Sequence, residues 1–163
     1  MARPRSLPDA VVHETICRLL AADGDRGVSF GTVSRATGLA AATLAGRYGT
    51  RDAMVRAALG DFWDRVEAAT EAAGAEGKAP AFLKAISPAA DPHLVSLTLA
   101  MPDLRHRAEV WRQQVEAALA LRLGRAEPAA MMFALWQGQR IWQPAGGRGF
   151  RLKDAAKRLG QAL

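Results

Sequence analysis

Residues 28–54, VSFGTVSRATGLAAATLAGRYGTRDAM, decide how the chain folds. Ser29 is a good helix N-cap, so a short helix is predicted from there to about Thr37. Gly38 follows where a tight turn needs a positive φ or a close helix contact. A second short helix reaches Tyr48. Thr50 then caps a long helix carrying Val55, Leu59, Phe62 and Val66 on one face, with Asp52 well placed in its first turn. Two short helices about a glycine turn have the spacing of a helix-turn-helix, whose second helix lies in the DNA major groove. The segment that would enter, residues 40–46, is almost bare of polar side chains.

Working outward, residues 9–22 predict a first helix, with Ser6 and Asp9 spaced as a capping box and Val12, Ile16, Leu19 and Leu20 as its apolar stripe. Beyond Gly74 the composition breaks at Gly77 and Pro80. Short helices are predicted at residues 81–86 and 94–101, separated by Pro88 and Pro92. Pro102 suits a first helical turn, and a longer helix should run to Leu123 with Leu104, Ala108, Trp111, Val115 and Leu119 inward. Pro128 opens the next helix, whose start, AAMMFALW, is apolar on every side, as in a helix buried all round. GGRGF reads as a flexible link before a closing helix over residues 151–163.

The composition agrees with an all-α protein. Half of the 163 residues are apolar and 23% are charged, so a packed core is the default. No apolar run reaches the length that spans a bilayer, and the start MARPRSLPDA lacks the apolar core of a secretory signal. The single cysteine, Cys17, rules out an internal disulfide and fits a cytoplasmic setting. The formal net charge of +6 invites nucleic acid, but it is spread evenly. Residues 1–60 hold eight arginines against five acids, and residues 61–163 hold fourteen basic residues against eleven acids.

With these parts in order, the chain resembles the TetR-family transcriptional regulators. The resemblance runs through LLAADGDRGVSFGTVSRATGL, TLAGRYGTRDAM and the long helix after them, roughly residues 9–66. The closing stretch WQGQRIWQPAGGRGFRLKDAAKRLGQAL resembles the family's last helix pair less closely. Against the family pattern, the third helix opens on Ala40 in place of a capping serine, which typically costs about 1 kcal/mol. Ala45 stands where a phosphate-contacting tyrosine is usual, and Arg51 replaces a lysine with its charge kept. The resemblance implies a three-helix DNA-binding head at residues 1–50. A long helix joins it to a small helical bundle at residues 51–163, which binds ligand and dimerises.

The expected DNA contacts are Arg3, Arg5, Ser29, Arg35, Ala41, Ala42, Thr43, Gly46, Arg47, Tyr48 and Arg51. Alanine methyls can touch the thymine methyl, and small residues admit the helix backbone closely. Arg47 can reach a guanine edge or a phosphate, Arg51 a phosphate, and Arg3 with Arg5 a minor groove. Leu39, Leu44 and Tyr48, by contrast, read as core. Phe62, Trp63, Phe82, Met101, Trp111 and Phe133 are candidates to line a pocket for a small apolar ligand, although residue type alone favours core packing. Met131, Met132, Leu135, Trp136, Ile141 and Trp142 exceed what a short bundle hides. A two-fold partner helix would cover the excess, with Gly138 allowing close approach and Leu159 contributing from the last helix.

No enzyme signature competes. His13 and Cys17 lie four apart on one helix, but two ligands do not make a metal site. Asp91, His93 and His106 have no nucleophile or phosphate loop beside them. No cofactor or metal is expected. Two functions remain: a homodimeric, ligand-responsive repressor of a double-stranded DNA operator, and a regulator-shaped protein that has lost operator binding and acts through protein partners.

Overall fold

The computed structural model describes residues 7–74, 77–147 and 149–161. Among these the ordered elements are all helical: α1 (Asp9–Asp23), α2 (Phe30–Thr37), α3 (Ala41–Tyr48), α4 (Arg51–Ala72), α5 (Ala79–Ile86), α6 (Pro92–Thr98), α7 (Pro102–Leu123), α8 (Ala126–Trp142) and α9 (Leu152–Gln161), with short 3-10 turns at Asp25–Gly27 and Gln143–Ala145. The chain divides into two compact units, Met1–Arg65 and Val66–Leu163, and the division falls inside α4.

In the first unit, α1 packs on α2 and α2 on α3. Val12, Ile16, Leu20, Val33, Leu44 and Leu59 are almost fully buried. Each such side chain contributes roughly 1.5–3 kcal/mol of transfer free energy, enough for this small set to hold short helices that would not persist alone. The Cys17 thiol reaches the Ala58 carbonyl at 3.5 Å, tying α1 to α4.

Local chemistry explains the helix ends. The Ser29 hydroxyl accepts from Thr32 N–H at 3.1 Å while Thr32 Oγ1 accepts from Ser29 N–H at 2.8 Å, a reciprocal capping box. Thr50 caps α4 by accepting from Ala53 N–H at 3.1 Å. The start of α1 differs from expectation. Its cap position is Pro8, with no side-chain cap, and Ser6 lies outside the described residues.

In the second unit, α7 and α8 form the main helix pair, with α6 against both and α5 and α9 completing the bundle. Leu104, Ala108, Trp111, Val115 and Leu119 of α7 all point inward. Two bonds join α4 to α7 here: Trp111 Nε1 donates to Thr70 Oγ1 at 2.9 Å, and Arg107 clasps both carboxylate oxygens of Glu67 at 2.9 and 2.7 Å. Helix α8 begins at Ala126, two residues before Pro128. It is not buried all round. Pro128, Ala129, Met132 and Trp136 face the core, whereas Met131, Leu135, Ile141 and Trp142 are exposed, the last by 66%.

Candidate nucleic-acid interface

Helices α2 and α3 are joined by Gly38, Leu39 and Ala40. Thr37 shapes the turn, donating from its hydroxyl to the Val33 carbonyl at 2.7 Å and accepting from Leu39 N–H at 3.3 Å. Gly38 sits at φ 74°, a left-handed conformation costly for residues with a Cβ. Buried Leu39 then plugs the corner. Helix α3 starts without a side-chain cap, as Ala40 requires, so its first N–H groups have no side-chain partner. Its inner face is Leu44, and its outer face presents Ala41, Ala42, Thr43 and Gly46, all exposed. Ser29 and Arg35 of the preceding segment are exposed too.

The other expected contacts among the described residues, Arg47, Tyr48 and Arg51, are occupied within the chain. Arg47 Nη1 donates to Asp9 Oδ1 at 2.9 Å and to the Leu7 carbonyl at 3.1 Å. Tyr48, half-buried, donates its hydroxyl to the same Asp9 oxygen at 3.2 Å, and its ring lies 5.8 Å from that of His13. Burial pushes the Tyr48 phenol pKa up, opposed by the Arg47 hydrogen bond and reinforced by Asp9. Arg51 donates from Nε to the Val28 carbonyl at 2.9 Å, from Nη2 to the backbone carbonyl and carboxylate of Asp25, and from Nη1 to Asp52. The Asp25 contact holds its guanidinium pKa above the ordinary value, with burial acting the other way. Thus Arg47 and Arg51, read from the sequence as DNA-facing, serve as internal ties in this structure. Asp9 and Asp25 were missed. They lie 38 and 26 residues from their partners, and no local spacing signals such pairs. Arg3 and Arg5 lie outside the described residues.

The six expected pocket residues do not gather at one cavity. Phe62 and Trp63 are buried in the first unit, edge to face at 5.5 Å. Phe82 is covered by the Arg122 guanidinium, 4.3 Å above its ring. Trp111 and Phe133 do meet, at 5.9 Å, and with Val95, Leu99 and Ile141 they line a cleft of about 460 Å³ between α6, α7 and α8. Met101, half-buried, precedes α7 and does not line it.

Of the expected interface residues, Met132 and Trp136 are 0% and 1% exposed and so belong to the core of their own unit. Their spacing on α8 turns them toward α7, so neither offers area to a second copy. Met131, Leu135, Gly138 and Trp142 share a second apolar cleft of about 520 Å³ with Phe150. Half-buried Leu159 of α9 lines a further cleft together with Leu135. Ile141, 51% exposed, faces the Trp111 cleft instead.

No helix among the described residues is long and apolar enough to cross a membrane. No group of three or more His, Cys, Asp or Glu among them could hold a metal ion.

No family model matches the chain, and no match was found among curated protein sequences. Solved structures match throughout. A TetR-family member from Streptomyces coelicolor A3 superposes with a TM-score of 0.64 at 21% identity, covering 93% of this chain and 96% of its own. A protein from Saccharomonospora viridis assigned as a transcriptional regulator, in complex with choline, gives 0.65 at 19%, covering 93% and 92%. The multidrug-binding protein EbrR, complexed with imidazole, gives 0.59 at 20%, covering 94% of each chain. The chain has the all-α fold of the TetR-family transcriptional regulators.

Proposed function

We propose that this protein is a DNA-binding transcriptional regulator, a ligand-responsive repressor that acts in the cytoplasm as a homodimer. One observation carries the reading: α3 is held by the Gly38 turn with its whole outer face clear of the rest of the first unit. Small side chains on that face let the backbone approach base edges, and the uncapped start of α3 suits a phosphate. In this reading residues 1–50 are the DNA-binding head and residues 51–163 bind ligand and dimerise. Specific contacts rest on Thr43, Arg35 and Ser29, with much of the selectivity drawn from DNA shape. The exposed apolar face of α8 around Met131, Leu135 and Trp142 supports the dimer.

Ligand response is supported by the cleft against Trp111 and Phe133, and by choline and imidazole in two proteins of the same fold. Trp111 bonds Thr70 of α4, the helix that begins in the DNA-binding unit. A small apolar ligand displacing Trp111 would act on α4, and linkage requires that it bind the DNA-free form more tightly.

A second reading, loss of operator binding, is favoured by the internal commitment of Arg47 and Arg51. Fluorescence anisotropy with random duplex DNA at two salt concentrations separates the two. Saturable binding that weakens with salt supports the regulator, and no binding at low salt supports the second reading.

A further inference from the structure

Arg140 is a half-buried cation whose hydrogen bonds go to backbone carbonyls, with no direct ion pair among the described residues. It leaves α8 toward the end of α5, donating from Nη2 to the Ser87 carbonyl at 2.6 Å and from Nη1 to the Ala90 carbonyl. Its guanidinium lies 5.1 Å from the Trp136 ring centroid. The nearby Asp91 carboxylate accepts His93 and Leu94 N–H at the start of α6 and acts on Arg140 through space rather than as a direct ion pair. Burial holds the Arg140 pKa below the ordinary arginine value, with Asp91 acting against that. A guanidinium has five N–H donors, and capping the two carbonyls uses two of them.

Arg140 lines a cleft of about 570 Å³ between α5, α8 and α9. Trp136 and Phe150 give it apolar walls, Gln139 lines it from the last turn of α8 and Gln143 from just beyond, and Arg151 adds a second cation. Arg151 is exposed and paired with Asp154 at 2.7 Å, so its charge is partly met. Gln139 donates to the Phe150 carbonyl at 2.8 Å, which fixes the wall opposite Trp136.

We propose that this cleft is a binding site for a small organic acid, its carboxylate on Arg140 and Gln143 and its apolar body against Trp136 and Phe150. A carboxylate matches the planar fork of a guanidinium and gains from the low dielectric beside it. It also supplies the direct ion-pair partner that Arg140 lacks among the described residues. A neutral ligand of the same shape would not. The site is separate from the Trp111 cleft and does not depend on DNA binding, so its failure would leave the regulator reading intact.

The test is a titration of the full-length protein with benzoate and with its neutral isostere benzamide, followed by ¹⁵N–¹H NMR. Benzoate should shift the Trp136 indole and the amides of Gln139, Gln143 and Phe150, and it should bind about tenfold more tightly than benzamide. Gln143 is exposed, so Gln143→Glu should fold normally while weakening benzoate about tenfold by placing a like charge beside the carboxylate. Arg140→Gln should abolish the preference for benzoate, and thermal melts show whether it stays folded. Equal affinity for the two probes, shifts confined to other residues, or a folded Gln143→Glu variant with undiminished benzoate binding would overturn the proposal.

Discussion

Asp9 is the residue whose replacement tests the proposed DNA contact most directly. It accepts from both Arg47 and Tyr48, and its side chain is 64% exposed against 24% for Arg47. An ion pair so exposed contributes only about 0–1 kcal/mol. A carboxylate in the first turn of α1 adds roughly 0.3–1 kcal/mol through the helix dipole. Asp9→Asn should therefore cost about 1 kcal/mol of stability and leave the fold intact. Its effect on DNA should be larger. Releasing Arg47 to a phosphate adds one contact per head, and each contact steepens the logarithmic salt slope by about 0.9. Two heads give about 1.8, so affinity should fall about twelvefold more than wild type between about 50 and 200 mM salt. Anisotropy with a fixed duplex measures the slope, and adding Arg47→Gln in the same background should restore it. A folded Asp9→Asn variant with an unchanged slope would refute the idea that Asp9 holds Arg47 back from the phosphates.

Arg51→Ala should act on the fold more than on DNA: losing the bonds to the Val28 carbonyl and Asp25 should cost about 1–3 kcal/mol in urea melts, with little change in salt slope. Gly38→Ala forces a Cβ into a left-handed residue and should lower stability by about 1–2 kcal/mol, read by the same melts. Leu135→Glu, on an exposed face, should give folded monomers in light scattering; Trp136→Glu, in the core, should unfold the bundle instead, as circular dichroism would show.

The head was legible because its signals are local. Ser29 and Thr50 cap within three residues of themselves, and Gly38 reports a backbone angle at its own position. The apolar stripe of α4 recurs at helical spacing, and its members Val55, Leu59, Phe62 and Val66 are all buried. Pro102 and Gly124 bracket α7 by the same kind of near-neighbour chemistry, Gly124 closing the helix at φ 82°.

The interface was less legible because its chemistry is settled by pairs distant in sequence. An exposed arginine on a groove-facing helix and an arginine folded back on Asp9 have the same local context, so spacing cannot choose between them. Helix α8 shows the same limit in apolar form. Its run AAMMFALW presents two stripes at helical spacing, and hydrophobicity does not rank them. Met132 and Trp136 fall toward α7 because Trp111 stands there to receive Trp136, 6.2 Å between ring centroids, and Ser87 accepts the indole N–H at 3.1 Å. Met131 and Leu135, a fraction of a turn away, are left outside. An indole buried without an acceptor would cost roughly 1–3 kcal/mol, so that hydroxyl is part of what sets the rotation of α8 about its axis. That rotation in turn decides which stripe is left exposed.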